Sequence, residues 1–430
     1  MRRRSLLQIL PRVAAGAAML HPDALQRLRA AAAGATHLSP EEAATNEDFW
    51  FEVRHAFTVD RNLLNLNNGS VCPSPTVVQE AEKRFLTVMH MQPSHYVDSM
   101  FLGHTESVRE ALARQLGSSP DELALTRNTT ESLQNVIFGL NLKAGDEVLT
   151  TTQDYPSMLG AFHQREQRDG IVLRQFPYPT PPENPGVLTD LFRKHITPRT
   201  RVILVSHLTF TTGQVFPVKE ICALAREHNI FSIVDGAHSF AHLPFRVDEI
   251  GCDAFGTSLH KWLTAPIGTG LLYVRKEKIA ELWPLMGSAD PRSENIRKFE
   301  GIGTHPIAPR NAITEAVVFH ESIGIERKAA RLAYLRRRWQ TRLAAIPGAA
   351  ILNRDGYAQA GALGAITLPG IDSGDLTETL LSKYRIHVRP RFVKDEFHCI
   401  RVTPQIYTTI EEIDRFCDVM EKIARAPSRA

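Results

Sequence analysis

At 430 residues, with 43% hydrophobic residues and a formal net charge of +3, the chain has the length for two or three domains and the apolar content for a large core. So small a charge argues against a nucleic-acid partner or a membrane surface, and no run of about 18 apolar residues offers a membrane span. Five widely spaced cysteines (Cys72, Cys222, Cys252, Cys399, Cys417) with no CxxC pair speak against a disulfide framework or a metal site, and leave room for a single disulfide.

Residues 1–35 stand apart. Arg2-Arg3-Arg4-Ser5-Leu6-Leu7-Gln8 has the form of a twin-arginine export signal, a mildly apolar, alanine-rich stretch follows, and Ala33-Gly34-Ala35 offers a cleavage site before Thr36. Read this way, the protein is periplasmic. Pro11, Arg12, Arg27 and Arg29 favour the other reading, a basic tail on a cytoplasmic protein.

From Asn65 onward, apolar runs alternate with helical patterns, which predicts an α/β domain with a mostly parallel sheet. Strands are expected over residues 123–126, 147–151, 202–206, 230–235 and 268–274. Helices are expected over 130–140 and from Pro217 to about 228, with the proline in its first turn. Residues 177–185 read as a proline-rich connector. Beyond about 310 the pattern changes to long helical segments (313–323, 328–345), short strands near 365–368 and 398–402, and a last helix over 410–424. The expected division is a large domain at 63–309 and a smaller α+β domain made from 36–62 with 310–430.

The strand over 230–235 ends in Asp235, and Lys261 follows about one strand later between His260 and Trp262, with Ser258 close by. A lysine there suits a Schiff base with an aldehyde cofactor, and the carboxylate suits a protonated pyridine nitrogen. Pyridoxal phosphate (PLP) needs that pair, the lysine as tether and the carboxylate to keep the ring an electron sink. Strand ends are where open α/β sheets gather their sites. After the strand at 123–126 comes Arg127-Asn128-Thr129-Thr130-Glu131, whose N–H groups and hydroxyls at a helix start could hold phosphate or simply cap the helix. Tyr155, in Asp154-Tyr155-Pro156, could stack on a planar ring or pack in a loop.

Taken together, Asp235-Gly236-Ala237-His238, Ser258-Leu259-His260-Lys261, Asn128-Thr129-Thr130-Glu131, residues 213–217, and Ile400-Arg401-Val402-Thr403-Pro404 with Tyr407 resemble the class V aminotransferase family of PLP enzymes, of fold type I. The likeness covers roughly residues 60–420. The Asn67-Asn68-Gly69 opening, His238 and the Tyr155 loop are most similar to its isopenicillin N epimerase-like branch.

The resemblance implies that Lys261 tethers the cofactor and shuttles the α-proton, Asp235 pairs with the ring nitrogen, and His238 lies beside the phenolic oxygen. It implies that Tyr155 stacks on the ring and that Thr129, Thr130, Ser258 and His260 bind phosphate. Thr304 would reach the phosphate of a neighbouring subunit in a homodimer, and Arg401 and Asn68 would contact the substrate, Arg401 as a carboxylate clamp. The implied activity is that of an aminotransferase or epimerase acting on an amino acid or peptide amine. A C–S lyase and a non-catalytic binding protein retaining the fold stand as alternatives. The chain departs from the pattern at Thr209-Phe210-Thr211, where many relatives carry an asparagine, and in residues 387–391, which lack the nucleophilic cysteine of cysteine desulfurases.

Overall fold

The structure is a computed structural model that describes residues 22–97, 102–353 and 361–425. Among these, seven strands form the central sheet: β1 (Leu123–Thr126), β2 (Glu147–Thr151), β3 (Val172–Phe176), β4 (Thr200–Ser206), β5 (Phe231–Asp235), β6 (Ala254–Ser258) and β7 (Gly270–Val274). Their spatial order is β1-β7-β6-β5-β4-β2-β3, and β7 runs antiparallel to both its neighbours while the other pairings are parallel. The apolar runs in β4, β5 and β7 follow from this placement, since a central strand covered on both faces buries nearly all its side chains. In β4, Ile203 and Val205 join one core, while Val202 and Leu204 join the core on the opposite face.

Helices cover both faces. The longer ones among the described residues are α1 (Pro22–Gly34), α2 (Glu47–His55), α3 (Thr76–Met91), α4 (Leu102–Leu116), α5 (Thr129–Gly139), α6 (Pro156–Asp169), α7 (Pro185–His195), α8 (Val218–Glu227), α9 (Ile313–Ile323), α10 (Ile325–Leu343), α11 (Ser373–Tyr384) and α12 (Ile410–Arg425). Asn128 caps α5, its side chain accepting from the Glu131 N–H, so the strand-to-helix turn after β1 is fixed by one short polar residue. A second, antiparallel sheet holds β8 (Ala350–Ile351), β9 (Gly364–Thr367), β10 (Arg389–Val393) and β11 (Phe397–Val402), in the order β10-β11-β9-β8.

The cores divide the chain differently from the expected boundaries. Phe49, Trp50 and Val53 of α2, Phe57, and Ile313, Val317 and Phe319 of α9 share the core of the large sheet. Leu64 and Leu66 instead join the small core with Leu335, Trp339, Leu380 and Phe416. α10 contributes Leu332 to the first core and Leu335, Trp339 and Leu343 to the second, so one helix spans both. Arg2 to Arg4 lie outside the described residues. Leu28 of α1 and the following Ala35 are buried in the large core, while Ala33 and Gly34 of the small-residue stretch expected to precede cleavage are exposed.

Candidate active site

The carboxyl ends of β1, β4, β5 and β6 open onto a cavity of about 210 Å³, which small-sheet residues close from the other side. Asp235 ends β5 and is 4% exposed. Its Oδ1 accepts from the Ala237 N–H at 2.9 Å, and burial pushes its carboxyl up to about 6. The register Asp235↔Gly256 sets β6 alongside, so the turn after Ser258 delivers Lys261 to the same cavity. Burial brings the Lys261 ammonium down to about 8 against the pull of Asp235.

The Lys261 Nζ lies 3.4 Å from His238 Nε2. The indole of Trp262 donates to His238 Nδ1 at 3.3 Å. An indole N–H can only donate, so Nδ1 carries the lone pair and the ring proton sits on Nε2. Burial, then the Lys261 charge, drive the His238 ring well below the ordinary histidine range, which keeps it neutral. Trp262 is itself stacked on His242 with centroids 3.6 Å apart. His242 Nδ1 donates to the His238 carbonyl at 2.7 Å and its Nε2 accepts from the Ala362 N–H at 2.7 Å. That chain holds His238 from behind.

At the other end of the cavity, the Ser258 hydroxyl accepts from the Thr129 N–H at 2.9 Å and lies 2.7 Å from its hydroxyl. Gly270 sits opposite Ser258 across β6 and β7, and a Cβ there would stand 2.7 Å from the Asn128 backbone nitrogen. Only glycine lets the start of α5 come this close. Thr130 completes the turn and lines the cavity. His260 Nδ1 donates to the Thr269 carbonyl at 3.1 Å, leaving Nε2 for a ligand, and burial lowers the ring to about 4. Together the N–H and hydroxyl groups at this helix N-terminus form a cup suited to an anion, with the neutral His260 ring beside it, its Nε2 an acceptor for a protonated ligand oxygen.

Tyr155 sits at the N-cap position just before α6, 40% exposed at the cavity wall and edge-on to Phe210 at 5.2 Å. Its neighbour Asp154 places it. Oδ2 accepts from the hydroxyls of Thr150 and Thr151 at 2.6 and 2.7 Å, and Oδ1 accepts from the Ser206 N–H and hydroxyl at 3.0 and 2.7 Å. One buried carboxylate thus ties the ends of β2 and β4 together.

Arg401, 1% exposed, comes from β11 in the small sheet. It donates to the Phe210 carbonyl and to Asn67 Oδ1, each at 2.9 Å, and to the Ser70 hydroxyl at 3.1 Å. All three acceptors are neutral. Asn68 requires a correction: its Nδ2 donates to the Asn65 and Thr403 carbonyls, and its Oδ1 accepts from the Tyr407 hydroxyl at 2.5 Å and the Asn65 amide at 3.1 Å. Its polar capacity is spent inside the protein, and Gly69 and Ser70 line the cavity in its place. Thr304 is exposed and does not line this chain's cavity. At the position where many relatives carry asparagine, Phe210 forms cavity wall with its ring.

Sequence reasoning missed Trp262, Asp154, Ser70 and Arg391. Trp262 had a local signal, adjacency to Lys261. The others are recognisable only by what faces them across space. Cys399 is 1% exposed with its thiol pushed up to about 12 by burial, and no cysteine lines the cavity.

Three cationic side chains, Lys261, Arg391 and Arg401, face the cavity against the single carboxylate of Asp235. An anionic ligand suits that imbalance. The residues fit PLP: an amine brought near neutral pH, a carboxylate that burial penalises until a cation meets it, an aromatic wall at Tyr155, and an anion cup under α5.

The sequence model of the class-V aminotransferases matches residues 64–416. The isopenicillin N epimerase of Streptomyces clavuligerus is 31% identical over 391 residues, covering 87% of this chain and 98% of its own. That of Amycolatopsis lactamdurans is 28% identical over 398 residues, covering 87% and 99%. Among solved structures, a cystine C–S lyase in complex with its product cysteine persulfide superposes with a TM-score of 0.73 at 25% identity, covering 84% of this chain and 98% of that one. An apo cysteine desulfurase from Thermococcus onnurineus NA1 gives 0.77 at 22% identity, covering 88% and 98%, a likeness of fold.

Proposed function

The chain belongs to the class-V aminotransferase family, and from that premise we propose a PLP-dependent enzyme acting on the amine of an amino acid or peptide, of aminotransferase or epimerase type. The observation that carries this reading is the convergence of Lys261, Asp235 and neutral His238 on one cavity from the ends of neighbouring strands. When bound, PLP supplies a ring that draws off the electrons left when a bond at the substrate α-carbon breaks.

The chain's own residues do the rest. Lys261, with its ammonium near 8, has a neutral fraction at neutral pH able to attack a carbonyl and later to take a proton from the α-carbon. Asp235, buried and ionised above about 6, offers its carboxylate to a ring N–H. His238, with Nε2–H beside Lys261, donates to an oxygen without adding charge. Arg401 presents a planar fork to the substrate carboxylate, and its neutral partners leave its charge for that anion. Leu208, Phe210 and the Tyr155 ring give the cavity its apolar wall. The buried Cys399 thiol supports no cysteine-nucleophile chemistry, which sets the desulfurase reading behind the other two.

A homodimer, with Thr304 reaching the neighbouring subunit's phosphate cup, is part of this proposal, supported by its exposure outside this chain's cavity. So is twin-arginine export. The deciding experiment uses purified protein supplied with PLP. It should be yellow, with a visible band that borohydride bleaches and that Lys261→Ala abolishes. A colourless protein that fails to take up PLP would reject the enzyme reading.

A further inference from the structure

Arg391 lines the cavity, yet no step described so far uses it. It lies on β10 facing Cys399 of β11, while Arg389 faces Arg401. Residues two apart on a strand share a face, as do directly opposed residues. Arg389, Arg391 and Arg401 therefore crowd one side of a single hairpin, and the last two line the cavity.

Three buried guanidinium groups elsewhere in the fold are met by carboxylates. Arg109 meets Glu300 and Glu106, Arg165 meets Asp169, and Arg331 meets Glu47. Among the described residues, neither Arg391 nor Arg401 forms an ion pair; the Arg391 Nε is buried without a partner, and its Nη1 reaches only the Pro390 carbonyl at 3.4 Å. The Phe210 ring under its guanidinium, 5.3 Å away, holds the charge in place and cannot neutralise it. Like charges on one face repel, and burying them unpaired is costly. One substrate carboxylate at Arg401 relieves one of the two.

We propose that Arg391 is a specificity-determining residue that binds a second anionic group, so that the site prefers an α-amino acid or peptide amine whose side chain also carries a carboxylate. Arg401 and Arg391 occupy diagonal positions on the hairpin, whose backbones are separated by roughly 7–8 Å in antiparallel sheets. Two carboxylates joined by a short methylene chain match that separation. The inference rests on reading the cavity as an amino-acid site, and it concerns which amino acids enter.

Carboxylates that lack the amine separate the two ideas, because they need no reaction. Isothermal calorimetry with the holoenzyme would compare succinate, glutarate and adipate with butyrate, pentanoate and hexanoate. The expected result is at least one dicarboxylate bound about tenfold or more tightly than its monocarboxylate counterpart. Arg391→Gln should bring the pair to near parity, and Arg391→Lys should retain part of the preference. PLP content and visible band should be unchanged in both variants. No preference in the unsubstituted enzyme, or a preference that survives Arg391→Gln, overturns the proposal. Loss of PLP from Arg391→Gln also overturns it, assigning the arginine to the cofactor phosphate. If the unsubstituted protein takes up no PLP, the enzyme reading fails on its own, while calorimetry on the protein as purified still decides for or against a dicarboxylate site.

Discussion

At the scale of single residues, the site is governed by what burial does to charge. A lysine ordinarily holds its proton to about 10.4; burial brings Lys261 to about 8. The rate at which apoprotein takes up PLP, read from the growing visible band, should therefore climb with pH to about 8 and then level off; a climb continuing towards 10 would contradict the lowered value. Asp235 shifts the other way, from the usual 3.8 to about 6. A carboxyl whose folded pKa is raised contributes fully below the unfolded value, and that contribution is lost as pH rises from 3.8 through 6. Removing the charge while keeping the acceptor for Ala237 should accordingly make apo Asp235→Asn more stable than the parent at pH 7, by ~1–3 kcal/mol in chemical denaturation, with PLP bound less well. For Arg401→Ala the expected outcome is a KM for amino-acid substrate raised by about 30-fold or more, consistent with a lost buried charge contact of ~2–5 kcal/mol, with PLP retained. Loss of PLP would refute its role. Lys261, Asp235 and His238 were legible because each follows a readable strand at short range. Asn68 misled because its neighbours Asn67 and Ser70 make the contacts to Arg401 while its own amide ties Asn65, Thr403 and Tyr407 together.

At the scale of elements, close approach decides whether the anion cup forms. Gly270→Ala would set a methyl group 2.7 Å from backbone atoms of Asn128, and neither β7 nor the start of α5 can move without spoiling a neighbour. The expected cost is ~1–3 kcal/mol of stability together with faster PLP release, measured by thermal melting and by loss of the visible band on dilution. A variant with unaltered PLP retention would show that the cup tolerates retreat of α5. Among the central strands β4, β5 and β7 were legible as apolar runs, whereas β6, whose Ala254-Phe255-Gly256-Thr257-Ser258 mixes small and polar residues, was not. Nor were β3 and β10. β3 lies at the sheet edge with Val172 40% exposed, so its apolar signal is diluted. β10 contains Pro390, which argues against a strand unless the strand lies at an edge, where β10 does lie. The same edge strand carries Arg391, so misreading the strand hid the arginine.

At the scale of the whole molecule, the cores show which segments are expendable. Leu28 and Ala35 are buried with Trp50 and Phe319 in the large core, so α1 is part of the packed body. N-terminal sequencing of exported protein should find a start ahead of Leu25. A truncation beginning at Thr36 should melt at a lower temperature, having lost the burial of Leu28, worth ~1.5–3 kcal/mol. A mature chain starting at Thr36 with unchanged melting would contradict both expectations. The large fold was legible from alternation of strands and helices, whereas the assignment of 36–62 was not, since amphipathic helices do not declare which sheet they will cover. The hairpin of β10 and β11 carries Arg391 and Arg401, while Lys261 and Asp235 belong to the large sheet. Recognition and reaction are therefore encoded in separable stretches of chain. Hairpins of other sequence could be exchanged at residues 387–402 to give catalysts with new diets and the same chemistry, which makes this stretch the natural target for directed evolution.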